Sequence, residues 1–211
     1  NLILKNKIIM APMTRAMARN QMPTELMTQY YARRADAGLI ISEGVAIRPD
    51  SLAYPDVPGI YKQSHIDGWK NVTHSVHKNN GKIFAQIWHV GRVSHPSYLN
   101  GELPISPSET EMTGPVRRNK NGLRYGKSRA LELEEIKQLQ DDFITAIENA
   151  LTAGFDGIEF HAANGYLIDQ FMHYDTNHRT DQYGGSPENM SRFLLEMLEM
   201  AGEKFGYDKI G

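Results

Sequence analysis

The chain contains no cysteine, which excludes disulfides, thiolate nucleophiles and cysteine-ligated zinc or iron–sulfur sites from this stretch. The same lack fits a reducing compartment, the cytoplasm. No apolar run approaches the roughly 20 residues of a membrane-spanning helix, and the first residues lack the basic-then-apolar layout of a secretory leader. Charge of one sign is also missing: the formal net charge is -2, with a pI near 6.5. Lysines and arginines are scattered among acids, so no field draws in nucleic acid or an anionic membrane. Neither a G-x-G-x-x-G turn after a strand nor an H-E-x-x-H zinc motif occurs. The expected partner is a small molecule, with a homo-oligomer left open, and 211 residues suffice for one sizeable core.

One phrase recurs along the chain: an amphipathic helical stretch, a glycine where the helix should stop, then a short apolar run. Gly38, Gly81, Gly154 and Gly206 stand at those stops, each a predicted left-handed cap. The strands they release are Leu39-Ile40-Ile41, Lys82 to Ile87 and Gly157 to Phe160, preceded by Lys7 to Ala11 and followed by a run starting at Ile210. Helices are predicted over Pro23–Ala37, Ser64–Asn79, Glu132–Ala153 and Pro187–Phe205. In the third, Ile136, Leu139, Phe143, Ile147 and Leu151 form one apolar stripe. This alternation implies a parallel sheet covered by helices. The stretch from Gly91 to Arg129 is too long for a plain connection, and Gly114-Pro115 and Asn121-Gly122 predict a hairpin or lid within it.

A barrel and a doubly wound sheet both fit that pattern. Polar residues favour the barrel, because Thr14, Glu43, Gln86 with His89, and His161 stand at or just past the ends of four successive strands. That end is where a barrel builds its site, whereas an open sheet concentrates it at one switch point. The fullest cluster is His161-Ala162-Ala163-Asn164-Gly165-Tyr166. His161 and Asn164 can both donate to one substrate oxygen, and Tyr166 can donate a proton. Taken singly, His161 or Gln86 reads equally well as a satisfied structural residue and Thr14 as a turn residue. His89 reads as structural, His74 and His77 as a solvated helix face, and Glu159, inside a strand, calls for a cationic partner or an exposed end.

Five motifs stand in one order: Ala11-Pro12-Met13-Thr14-Arg15, Ile41-Ser42-Glu43-Gly44, Ala85 to Arg92 (Ala-Gln-Ile-Trp-His-Val-Gly-Arg), His161 to Phe171, and Asp181 to Ser186 (Asp-Gln-Tyr-Gly-Gly-Ser). Together they resemble the Old Yellow Enzyme family of flavin-dependent ene-reductases, over essentially the whole chain. The resemblance implies a (β/α)8 barrel, of which this chain would supply about the first half as a single incomplete domain. It implies FMN at the mouth, reduced by NADPH or NADH, and reduction of the C=C bond of α,β-unsaturated carbonyl or nitro compounds. Pro12, Met13 and Thr14 would line the flavin, Gly44 would offer backbone, and Gln86 would pair with the pyrimidine edge. His161 and Asn164 would grip the substrate oxygen, and Tyr166 would be the proton donor. Trp88 and Tyr54 would shape the pocket rim, and no metal is implied. Threonine at 14, where one branch of the family has cysteine, points to the classical branch.

The chain opens on Asn1 and closes as a new strand begins, so a fragment of a longer enzyme is expected, with the phosphate-holding elements elsewhere. The contrasting expectation is a truncated half-barrel that binds no flavin and acts as an assembly unit. A third reading, a metal-dependent hydrolase using His161 and His89, lacks an acidic ligand cluster.

Overall fold

The computed structural model describes residues 2–119 and 121–211. In chain order its elements are β1 (Ile9–Met10), α1 (Glu25–Ala32), β2 (Leu39–Ala46), α2 (Gln63–Lys78), β3 (Ile83–Trp88), β4 (Ile105–Ser106), β5 (Thr110–Glu111), β6 (Lys127–Ala130), α3 (Leu133–Thr152), β7 (Gly157–Phe160), α4 (Leu167–Met172) and α5 (Pro187–Phe205). The main sheet runs β1-β2-β3-β7, with every pair parallel. Strands therefore add in chain order with no reversal, which a doubly wound sheet requires, and the arrangement is that of an α/β barrel. Beyond β7, Ile210 forms an isolated parallel bridge with Ile158. Among the described residues no helix is long and apolar enough to cross a membrane.

Local chemistry starts the helices where the sequence places them. Thr24 accepts from the Met27 N–H ahead of α1, Glu132 and Glu135 form a capping box at α3, and Ser186 accepts from Asn189 N–H before Pro187 opens α5. The first helix is shorter than predicted: α1 ends at Ala32 and the chain passes through turns to Gly38. The second strand is longer, extending to Ala46 and buried throughout. Ser42, Glu43 and Gly44 hid that extension by interrupting its apolar run.

The four stop glycines divide into two kinds. Gly154 and Gly206 adopt left-handed backbone, with φ of 90° and 92°. Gly38 instead serves close approach, since a Cβ there would fall 2.0 Å from the Asn6 carbonyl oxygen. Before Gly81 it is Asn80 that turns left-handed, with φ 55°, as asparagine tolerates. The long connection after β3 folds into a small sheet ordered β4-β6-β5, parallel between β4 and β6 and antiparallel between β5 and β6. Its hairpin tip narrows at a Pro115–Arg124 bridge, beside the predicted turn glycines.

The core lies between sheet and helices. Ile136, Leu139, Phe143 and Ile147 of α3 are fully buried, while Leu151 of the same stripe is only partly so. Phe143 meets Phe160 of β7 at 6.0 Å and Phe193 of α5 at 6.3 Å between ring centroids, tying two helices to the strand that ends just before His161. Phe143→Ala should cost about 3–5 kcal/mol, read as a lower urea midpoint. A loss under about 1 kcal/mol would mean that the ring is not central to this packing.

Candidate active site

In a strand successive side chains point to opposite faces. In β3, Ile83, Ala85 and Ile87 enter the main core; in β7, Ile158 and Phe160 do so. Phe84, Gln86 and Trp88 must then share the other face with Gly157, Glu159 and, one step past the strand, His161. The register pairs Phe84 with Gly157 and Gln86 with Glu159, and His161 N–H donates to the Ile87 carbonyl at 3.1 Å. Gln86 Nε2 accordingly donates to Glu159 Oε1 at 2.8 Å. Glu159 thus takes a neutral amide, neither the cationic partner nor the fully exposed end expected for it, because its cross-strand neighbour is set by the ladder. One amide hydrogen of Gln86 is used, leaving the second and its carbonyl oxygen.

One layer further out, Trp88 and His161 meet edge to face at 6.1 Å. Tyr166, from the loop after β7, closes the triangle at 4.9 Å from Trp88 and 5.1 Å from His161. Gly44 seats the indole: a Cβ there would lie 2.6 Å from Trp88 Cε3. Tyr54 packs on the indole at 6.1 Å and carries the Arg118 guanidinium over its own ring at 5.0 Å. Trp88 is 2% exposed, and its Nε1 has no hydrogen-bond partner among the described residues, a buried donor left for something else.

Burial sets the protonation states. It pushes the His161 imidazole below its ordinary value, against a smaller pull from the Asp169 carboxylate, so the ring is neutral near pH 7 with one N–H to donate. It pushes the Tyr166 phenol up, with Tyr54 reinforcing and the Arg117 guanidinium opposing. Tyr166 is 7% exposed and keeps its proton.

Asn164 is exposed, with left-handed φ of 61° ahead of Gly165 at 75°. It lines a cavity of about 130 Å³ with Tyr166, Met112, Arg92 and Arg117, so the structure joins it to Tyr166, with no hydrogen bond to His161. At the end of β1, Met13 is 46% exposed, Pro12 and Thr14 are partly buried, and the Thr14 hydroxyl has no partner among the described residues. Pro12, Met13, Thr14 and His161 follow the C-terminal ends of their strands, and Gly44 and Gln86 lie within the last three residues of theirs.

Two other histidines have structural partners. His89 accepts from Gly91 N–H and lies 3.5 Å from Asp50, and His77 pairs with Asp156 at 2.9 Å. Two residues went unnoticed in the sequence. Arg117 and Arg118 sit on the inserted hairpin, and Arg118 donates to the Thr14 carbonyl at 2.9 Å. Their only signal was a pair of arginines after Gly114-Pro115, and nothing local says that this tip folds back on the mouth.

A family model described as NADH:flavin oxidoreductase / NADH oxidase matches residues 1–211. This chain belongs to that family. Among curated relatives it is 40% identical to flavin oxidoreductase hxnT of Emericella nidulans and 42% identical to putative 12-oxophytodienoate reductase 2 of Oryza sativa subsp. japonica. Each match covers 99% of this chain and 55% of the relative, so the chain spans about half their length. Among solved structures, the Old Yellow Enzyme homologue from Zymomonas mobilis superposes with a TM-score of 0.94 at 44% identity, over 98% of this chain and 58% of that one. Morphinone reductase in complex with tetrahydroNAD superposes at 0.92 and 42% identity, over 99% of this chain and 59% of the other. The sheet is accordingly about the first half of an Old Yellow Enzyme barrel.

In this Old Yellow Enzyme frame, Gly44→Ala should displace Trp88, shift its fluorescence and cost about 1–3 kcal/mol. Wild-type emission and stability would show that Gly44 does not seat the indole.

Proposed function

We propose that the protein carrying this chain is an FMN-dependent NAD(P)H oxidoreductase that reduces the C=C bond of α,β-unsaturated carbonyl or nitro compounds. The triangle of Trp88, His161 and Tyr166 carries this reading, because it sets a neutral N–H donor beside a protonated phenol at strand ends. Likeness to 12-oxophytodienoate reductase and to morphinone reductase favours an alkene conjugated to an oxygen-bearing group.

The donor set at the mouth suits FMN. Thr14 offers a hydroxyl, Gln86 an amide hydrogen and a carbonyl oxygen, Gly44 backbone, and Pro12 and Met13 apolar surface. When bound, FMN recharged by NADPH or NADH supplies the hydride. The chain's own residues do the rest. His161 and Asn164 donate to the substrate oxygen, each donor worth roughly 3 kcal/mol as charge develops there. Tyr166 holds its proton until the α carbon needs it and then donates it. Trp88 and Tyr54 exclude water from the rim, which strengthens those hydrogen bonds.

Tyr166→Phe in the full-length protein should leave flavin reduction by NAD(P)H within about twofold while slowing alkene reduction by roughly 10²–10⁴. Stopped-flow measurement of the two half-reactions checks this, and equal loss in both would remove Tyr166 as proton donor. His161→Ala should weaken binding of phenols, which mimic the substrate oxygen, by roughly a hundredfold. Titration of the flavin spectrum reads that change, and unaltered affinity would take His161 out of the oxygen clamp.

A further inference from the structure

We propose that Glu43 is a positioning residue that holds the Thr14–Ala16 loop in the shape that presents Thr14 to the flavin. This rests on reading the mouth as an FMN site. The strand β1 pairs with β2 only at Ile9 and Met10, so the chain leaves the ladder before Thr14 and needs another tie. Glu43 supplies it. Its Oε2 accepts the N–H groups of Arg15 at 3.1 Å and Ala16 at 3.3 Å.

The carboxylate is aimed by a bulge. Between Ile41 and Gly44 the β2–β3 register shifts, and the Ser42 hydroxyl fills the break by accepting from Gln86 N–H at 3.1 Å. Tyr31 then orients the acid. Its hydroxyl accepts from Glu43 N–H at 2.8 Å, so its proton is directed to Glu43 Oε1 at 3.3 Å. A carboxylate 1% exposed is costly unless such donors compensate it. Burial holds the Glu43 acid above its ordinary value, and the Arg15 and Ala16 amides and the Tyr31 hydroxyl offset part of that rise.

The held loop is strained. Ala16 sits at φ 53°, a left-handed conformation that alanine adopts only when its surroundings impose it. Arg118 grips the opposite side of the same segment through the Thr14 and Arg15 carbonyls. Amides are taken by the carboxylate and carbonyls by the guanidinium, leaving the Thr14 hydroxyl free to point at a ligand.

The test compares three variants of the full-length protein: Glu43→Gln, Glu43→Leu, and Glu43→Leu with Ala16→Gly. The readouts are the FMN dissociation constant from flavin fluorescence and the flavin midpoint potential. Leucine leaves both amides unpaired and should weaken FMN by about tenfold or more, with a lowered potential as the Thr14 donor is lost. Glutamine keeps one acceptor and should weaken it by roughly threefold. Glycine at 16 accepts the left-handed backbone without steric cost and should recover part of both losses. Wild-type affinity and potential in both single variants, or a loss that Ala16→Gly does not reduce, overturns the proposal. Should Glu43→Leu fail to fold, Glu43→Gln decides by the same two readouts. Wild-type protein that binds no FMN would instead sink the flavin site itself.

Discussion

The parallel register between β3 and β7 is the constraint on which the site depends. With Gln86 opposite Glu159 and Ile87 opposite Phe160, the pleat sends Ile83, Ala85, Ile87, Ile158 and Phe160 into the helix layer. The same pleat sends an amide, an indole and an imidazole to the other face. A slip of one residue would exchange these sets, burying Gln86 and Trp88 against helices and exposing Ile87. The hydrophobic cost of that exchange is what holds the polar groups in line. Phe143 and Phe193 pack the helix side of the ladder, so the core guards the geometry of residues it never touches.

Above this ladder a second apolar cluster forms from pieces far apart in the chain. Tyr54 comes from the loop after β2, Val116 and Tyr125 from the inserted hairpin, and Tyr166 from the loop after β7, all around Trp88. Such packing removes water from the rim, and desolvation is the first cause of both the lowered His161 and the raised Tyr166 values. One environment thereby keeps a base uncharged and an acid protonated. The hairpin does more than cover. Arg117 bears on Tyr166, and Arg118 ties the hairpin to the loop after β1, so three loops share one set of restraints.

Much of this was legible in the sequence. Helix periods, apolar strand runs and the polar residues at their ends gave the barrel, and the His161–Tyr166 stretch named itself by chemical type. Other features could not be read. The extension of β2 was hidden because its polar residues are buried by partners from elsewhere, Tyr31 on α1 for Glu43 and the Gln86 backbone for Ser42. The partner of Glu159 is set by the ladder, which puts Gln86 opposite it, and no local pattern gives that neighbour. Asn164, three residues from His161, lies with Tyr166, Arg92 and Arg117, since two successive left-handed residues turn the chain there.

The sequence by itself determined the class of the fold, through periodicity and residue type that need no partner to be recognised, and the family, through five motifs standing in one order. Tertiary structure alone decided who faces whom: the bulge that aims Glu43, the seat that Gly44 makes for Trp88, and the reach of Arg118 to Thr14. Those depend on register and loop closure between segments that are distant in the chain. They are fixed only when burial of the whole core selects one arrangement over its neighbours.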